Sequence, residues 1–376
     1  MIVFESVSKR YPDGTTAVDQ LDLVIPDGKI TVLVGPSGCG KTTSLRMINR
    51  MIEPTSGRVL VDGQDISRVD VAKLRLGIGY VIQQAGLFPH RTVIDNIATV
   101  PYLLGWDRKR ARTVAMELLE RVGLPLSFAS RYPVQLSGGQ QQRVGVARAL
   151  AADPPLLLMD EPFSAIDPVV RSGLQDEFLR LQGDLGKTIV FVTHDVDEAV
   201  KLGDYVAILR TGGHLAQVAP PQELLAQPAD DFVADFVGRD RGIRGLSFLP
   251  VAGLAVDPEP VVSLGTQVAA ARAAQSPSSS LVLVVDDGRR PVGWLDPETS
   301  PDAIAEGDLL RLGGTVPPDG SLRRALDLAL TSPAGRAVLV DEDGALRGTV
   351  THEALARHIA AVLVKERAVQ PSGRRP

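Results

Sequence analysis

The chain has 376 residues, 44% of them hydrophobic and 23% charged, a composition of globular domains and a length that fits two or more of them. Its net charge of -5 argues against a general nucleic-acid binder, because such proteins present a basic field to the phosphate backbone. The single cysteine, Cys39, excludes an intrachain disulfide, Met1-Ile2-Val3-Phe4-Glu5 lacks the pattern of a secretion signal, and no apolar run reaches the ~18 residues of a spanning helix. The expectation is a cytosolic protein whose membrane association, if any, passes through a partner or a surface.

Residues 1 to about 240 alternate short apolar strands with longer helical patterns, the mark of an α/β fold. The β-branched run from Ile30 to Val34 predicts a buried parallel strand, and Leu45, Ile48 and Ile52 recur after it at helical spacing. Between them, Gly35-Pro36-Ser37-Gly38-Cys39-Gly40-Lys41-Thr42-Thr43 fits the phosphate-binding pattern G-x-x-x-x-G-K-[ST]. A turn from strand to helix offers unpaired N–H groups and the positive end of the helix dipole to an anion. Gly35, Gly38 and Gly40 let the backbone wrap closely around phosphates, Lys41 reaches the β and γ oxygens, and the Thr42 hydroxyl suits Mg²⁺. The chain is expected to bind a nucleoside triphosphate.

Further along, Leu136-Ser137-Gly138-Gly139-Gln140 precedes a helical pattern from Gln141 to Leu150, a second helix N-terminus able to take a phosphate. Leu156 to Met159 is an apolar strand ending in Asp160 and Glu161, where a hard Mg²⁺ ion and an attacking water would be handled. Thr188 to Val192 and Tyr205 to Leu209 predict further strands. From about residue 250 the texture changes, and two segments repeat at about 55 residues: Gly265 to Ala270 leads to Leu283-Val284-Val285-Asp286-Asp287-Gly288, and Gly320 to Ala325 leads to Val338-Leu339-Val340-Asp341-Glu342-Asp343-Gly344. Each reads as turn, helix, strand, acidic turn and strand, a small α+β module made twice. The basic end of the chain, with Lys365, Arg367, Arg374 and Arg375, reads as a disordered tail.

On the motifs at Gly35 to Thr43, Ser137 to Gln140 and Asp160-Glu161, the first 240 residues resemble the ATP-binding subunit of an ABC transporter. That resemblance implies a P-loop NTPase fold of ABC type with a helical subdomain. It implies that Tyr11 stacks on adenine, that Gln83 is the Q-loop glutamine, that Ser164-Ala165-Ile166-Asp167 is the D-loop and that His194 is the switch histidine. ATP would then be held by Tyr11, by residues 35–43, by Gln83 and Asp167, and by Ser137, Gly138, Gly139 and Gln140 of a second copy, with Mg²⁺ on Thr42, Gln83 and Asp160. Lys41, Gln83, Glu161 and His194 would carry the catalysis, Glu161 orienting water and His194 contacting the γ-phosphate. Ile82 and Ile166 depart from the family's usual aromatic and Leu, and neither change removes a chemical group.

Gln84 to His90 and Glu161 to Pro168 resemble bacterial importers, while Gln175 to Gln182 and Phe232 to Gly242 resemble the ATPase subunits of importers for glycine betaine, choline or carnitine. That group often carries a CBS pair, and the C-terminal repeat is similar to one. The expected organisation is an ABC ATP-binding domain over 1–240, a linker over 241–259, a tandem CBS-like regulatory domain over 260–360 and a tail over 361–376. The resemblance further implies a homodimer, permease subunits in the cell membrane reached through Gln83 to His90, an extracytoplasmic substrate-binding protein, a peripheral place on the cytoplasmic face and a nucleotide ligand at the CBS pair. Gly348-Thr349-Val350-Thr351 keeps the shape of a nucleotide-binding strand, whereas Ala354 stands at the acidic position and Gly293 to Pro297 is a poorer match, which leaves dimerisation or ionic-strength sensing as an equal expectation beside nucleotide binding. The competing expectations are an importer of another solute and a soluble ABC ATPase acting without a membrane partner. The single ATPase domain, the lack of a long coiled coil and the acidic balance weigh against the second.

Overall fold

The computed structural model describes residues 1–83, 86–164, 166–275, 279–299 and 303–369, and the chain divides into two compact units, Met1–Arg239 and Asp240–Pro376. The first unit is built on two sheets. Ile2–Arg10 pairs antiparallel with Thr16–Ile25 and with Ser56–Val61, and Gln64–Asp65 completes this four-stranded sheet. The second sheet has six strands in the spatial order His214–Ala219, Tyr205–Arg210, Ile30–Val34, Thr188–Val192, Leu156–Asp160 and Ile78–Val81. All but the first of these pair in parallel, and the expected strands at Ile30, Leu156 and Thr188 are buried at every position. Continuous apolar runs of this kind are what a sheet covered on both faces requires.

One core lies between the two sheets, with Ile2, Phe4, Val7, Leu21 and Ile25 from the antiparallel side meeting Leu33, Leu158, Val190 and Leu209. Lys41–Ile48 packs into it through Leu45, Met47 and Ile48. The helix ends at Ile48, so Ile52, expected to continue the periodic face, instead lies partly buried beyond its end.

A set of helices follows the edge strand: Val93–Ile97, Thr99–Leu103, Arg108–Arg121 and Gly138–Leu150. Asp107 caps the third through its carboxylate, and Ala111, Ala115, Leu118 and Leu119 form its buried face at helical spacing. The end of Gly138–Leu150 approaches the edge strand at Gly79, where a Cβ would lie 2.5 Å from the Ala149 carbonyl oxygen.

In the second unit the two repeats fold alike. Val261–Ser263 pairs in parallel with Val282–Val285, which pairs antiparallel with Pro291–Leu295, and Val268–Ala273 is the intervening helix. The second repeat answers with Val316 bridged in parallel to Leu339, the helix Leu322–Thr331, and the hairpin Arg336–Val340 with Leu346–Thr351. The stretch 241–259, expected as a linker, belongs to this unit: it opens with the helix Arg241–Gly245, and Leu246, Val251 and Leu254 are buried against Val316, Leu322 and Leu339. Glu259 is buried with Arg336, their charged atoms 2.6 Å apart, and the Thr349 hydroxyl donates to the same Glu259 oxygen at 2.6 Å. The tail also begins later than expected, because the helix His352–Val369 runs through residue 361; residues 370–376 lie outside the described residues. Among the described residues no helix is long and apolar enough to cross a membrane.

Candidate functional site

The phosphate loop runs from the end of Ile30–Val34 to the start of Lys41–Ile48. Two of its glycines are demanded by close packing at positive φ: a Cβ on Gly35 (φ 155) would meet the Leu209 carbonyl oxygen at 2.3 Å, and one on Gly40 (φ 93) would meet the Ala17 carbonyl oxygen at 2.2 Å. Gly38 (φ 77) faces open space and Ser37 is exposed beside it, so the loop's convex packing lies at its two ends. Lys41 is buried, and its ammonium donates back into the loop, to the Gly35 carbonyl at 2.7 Å and the Pro36 carbonyl at 2.9 Å. Cys39 is fully buried 3.8 Å from Lys41 Nζ, and burial pushes its thiol up despite that ammonium. Thr43 is partly buried on the first turn.

Asp160, at the end of Leu156–Asp160, is 5% exposed. The Thr42 hydroxyl donates to its Oδ1 at 2.9 Å, and Arg46 Nη2 stands 3.6 Å from its Oδ2. Burial raises the Asp160 carboxyl pKa, and the bond from Thr42 and the charge of Arg46 work against that rise. Arg46 is the neighbour that sequence reasoning missed. The signal was available, since Arg46 lies four residues after Thr42 and so projects from the same face of the helix.

Glu161 occupies a left-handed conformation, φ 46, with its N–H donating to the Val192 carbonyl oxygen at 2.9 Å. This turns its carboxylate out of the strand direction, and two expected residues meet it. Gln83 Nε2 donates to Oε2 at 3.1 Å, and His194 Nδ1 stands 3.2 Å from Oε1. The Ser164 hydroxyl donates to the Glu161 carbonyl at 2.9 Å and steadies the turn. The structure thus pairs Thr42 with Asp160 and Gln83 with Glu161.

Ser137 caps Gly138–Leu150: its hydroxyl accepts from the Gln140 N–H, and the Gln140 side chain accepts from the Ser137 N–H. Ser137 and Gly138 are exposed, and the signature residues make no hydrogen bond to the phosphate loop among the described residues. Tyr11 lies at the end of Ile2–Arg10, with Lys9 Nζ 5.4 Å from its ring centroid. Asp167 is exposed and its carbonyl accepts from the Arg171 N–H at 2.8 Å. Gln84, Ala85 and Ala165 lie outside the described residues.

Comparison with known proteins decides what this arrangement is. The osmoprotectant import ATP-binding protein OsmV of Salmonella typhimurium is 42% identical over 373 residues, covering 96% of this chain and 97% of that protein. The glycine betaine/carnitine/choline transport ATP-binding protein OpuCA of Bacillus subtilis is 44% identical over 362 residues, covering 94% and 95%. The chain belongs to the ABC transporter ATP-binding proteins.

The ABC transporter family model itself matches residues 18–164, and a CBS domain model matches 308–361, which is the second repeat. Among solved structures, the dimeric post-hydrolysis ATP-binding cassette MJ0796 bound to ADP and Pi superposes with a TM-score of 0.54 at 34% identity, covering 59% of this chain and 99% of that one. This ABC protein is accordingly an ATPase of the transport-coupled kind. The donor set also fits Mg²⁺, a hard ion that takes one or two protein carboxylates together with hydroxyl, water and phosphate oxygens. Thr42 and Asp160 supply two such oxygens 2.9 Å apart at the mouth of the loop.

Proposed function

We propose that this chain hydrolyses ATP to energise import of a quaternary-amine osmoprotectant, glycine betaine, choline or carnitine, through separate permease subunits. The observation that carries the reading is similarity spanning both units: relatives named for osmoprotectant import, choline transport and glycine betaine/carnitine/choline transport align over 96%, 94% and 94% of the chain. An ATPase domain shared with transporters of many solutes would align over the first unit alone.

In this reading the buried Lys41 ammonium and the loop N–H groups hold the β and γ phosphates, and Tyr11 stacks on adenine. Thr42 and Asp160 would hold Mg²⁺, with Gln83 as a third oxygen donor, and the ion supplies charge neutralisation on the phosphate oxygens. Glu161, held from one side by Gln83 and from the other by His194, orients the attacking water. His194 contacts the γ-phosphate. The exposed Ser137 and Gly138 and the half-buried Gly139 and Gln140, with Asp167, close the site from a second copy, so that the homodimer is the active unit. The surface from Gln83 to His90 transmits closure to the permease on the cytoplasmic face of the membrane, and an extracytoplasmic binding protein delivers the solute. The C-terminal unit, read as a CBS pair over both repeats, regulates turnover in response to a nucleotide or to ionic strength.

Complementation tests the reading. In a host lacking betaine uptake, this chain expressed with its own permease and binding protein should restore growth at high osmolarity when glycine betaine, choline or carnitine is supplied. Lys41→Ala should abolish the rescue. Growth restored equally by the Lys41→Ala chain, or by none of the three amines, would reject it.

A further inference from the structure

His194 is exposed, with 60% of its side chain open to solvent, so its direction is set by the residues on either side of it. One of those neighbours, Asp195, is tied to the helix Pro168–Leu185, which starts directly after the D-loop residue Asp167, and the other, Thr193, is tied to Asp195. On one side, Thr193 is 2% exposed, and its hydroxyl accepts from the Asp195 N–H at 3.1 Å. Glu198 is 6% exposed, and its Oε1 accepts from Nε2 of Gln175, itself 6% exposed, at 3.1 Å. On the other side, Asp195 Oδ2 lies 3.9 Å from Arg171 Nη1, while Arg171 Nη2 donates to the Ile166 carbonyl at 2.9 Å.

We propose that Gln175 and Glu198 are positioning residues that set the orientation of His194 according to the position of the D-loop. The proposal rests on the roles given above to His194 and Asp167. The physical argument begins with cost. Apolar side chains of similar volume often match or exceed buried charged and polar pairs in stability, so the Gln175–Glu198 contact is weak evidence of a stabilising role alone. A directional contact does what apolar packing does not: it fixes the register of one helix on the other. Here the register matters because a site residue stands just ahead of each helix, Asp167 before Pro168–Leu185 and His194 before the cap Asp195 of Val196–Leu202. With Thr193 also held by its N–H to the Leu33 carbonyl at 3.2 Å, a shift of the D-loop segment reaches the residue beside His194 through two rungs, Ile166–Arg171–Asp195 and Gln175–Glu198–Asp195, the last link being the Glu198 N–H to Asp195 Oδ1 at 3.3 Å. Asp167 is exposed, on the surface that the proposed function gives to a second copy, so the position of the D-loop would report that copy's approach to the switch histidine of the same chain.

The test uses the full chain with its permease, measuring kcat, the Hill coefficient for ATP, fluorescent-nucleotide affinity and melting temperature for Gln175→Leu, Glu198→Leu, the double variant and Glu198→Gln. A misplacement of about 1 Å at a site residue costs on the order of 100-fold in rate, so each Leu variant is expected to lose about tenfold or more in kcat. Nucleotide affinity should stay within about threefold, because no phosphate-loop contact is altered, and the Hill coefficient should fall toward one. The double variant should be no worse than either single, as members of one network are not additive. Glu198→Gln keeps an oxygen acceptor for Gln175 and should restore both kcat and the Hill coefficient. Should Glu198→Leu fail to fold, Gln175→Met, close in length to the native side chain, carries the same expectation. A folded Leu variant with a lowered melting temperature but wild-type kcat and Hill coefficient overturns the proposal, as do strictly additive losses. His194→Ala separates the two levels. If that variant is inactive while Gln175→Leu retains full cooperative turnover, the tie fails and the reading of the site stands; if His194→Ala itself turns over normally, both fail.

Discussion

Replacing Glu161 by Gln removes the one carboxylate on which Gln83 and His194 converge. In the wild-type geometry Oε2 accepts from Gln83 Nε2 at 3.1 Å and Oε1 faces His194 Nδ1 at 3.2 Å, two separate oxygens for two separate groups. A carboxamide has a single oxygen, so one of these groups is left facing an NH₂ and the negative charge that orients water is gone. General-base assistance is worth about 10²- to 10⁴-fold, so kcat should fall by that factor, a rise in the barrier of about 2.7 to 5.4 kcal/mol. ATP affinity should stay within about threefold, since the Lys41 ammonium and the loop are untouched. Steady-state phosphate release, fluorescent-nucleotide titration and size-exclusion chromatography with ATP measure the three consequences, the last expected to show a retained dimer. A variant that keeps kcat within about threefold of wild type, or that loses turnover only because it no longer binds ATP, would refute the reasoning.

Gly40→Ala should destabilise the first unit by about 1 to 3 kcal/mol or more from backbone strain alone, with the Cβ contact to the Ala17 carbonyl adding to it, and differential scanning fluorimetry should show a lowered melting temperature. Asp95 is partly buried, and against that burial the Arg112 and Thr92 side chains hold its carboxyl below the usual 3.8. Its folded pKa is thus depressed, so its contribution is present above 3.8 and lost as pH falls through the folded value; the stability gap between wild type and Asp95→Asn should therefore close below pH 3.8 in melts taken from pH 7 downward. Arg336→Met leaves the buried Glu259 with only the Thr349 hydroxyl and should cost the C-terminal unit about 3 to 5 kcal/mol, seen as a lowered calorimetric transition, whereas replacing the pair together by Met and Leu should recover most of it.

Local chemistry explains which parts of this molecule could be read from its sequence. The strand Ile30–Val34, the loop to Lys41 and the cap at Ser137 are specified by residues within a few positions of one another, and the structure places them as expected. The pairing of Gln83 with Glu161, 78 residues apart, and of Gln175 with Glu198 depends on how helices and strands pack, and no spacing rule announces it. The stretch 241–259 reads as a linker because it falls between the α/β pattern that ends near residue 240 and the repeats that follow. Leu246, Val251 and Leu254 are nevertheless buried one by one beneath the second repeat, an irregular anchoring that only the fold reveals. Arg46 was legible by helical spacing from Thr42, but its meaning depended on Asp160 arriving from a strand 118 residues beyond Thr42.

The most direct measurement is ATP-driven uptake of labelled glycine betaine, choline and carnitine into vesicles holding this chain with its permease and binding protein, at low and high internal salt. The account predicts uptake of at least one of these amines that requires hydrolysis, stops with Glu161→Gln and responds to salt. A complex that hydrolyses ATP normally and moves none of the three would contradict the assignment to osmoprotectant import.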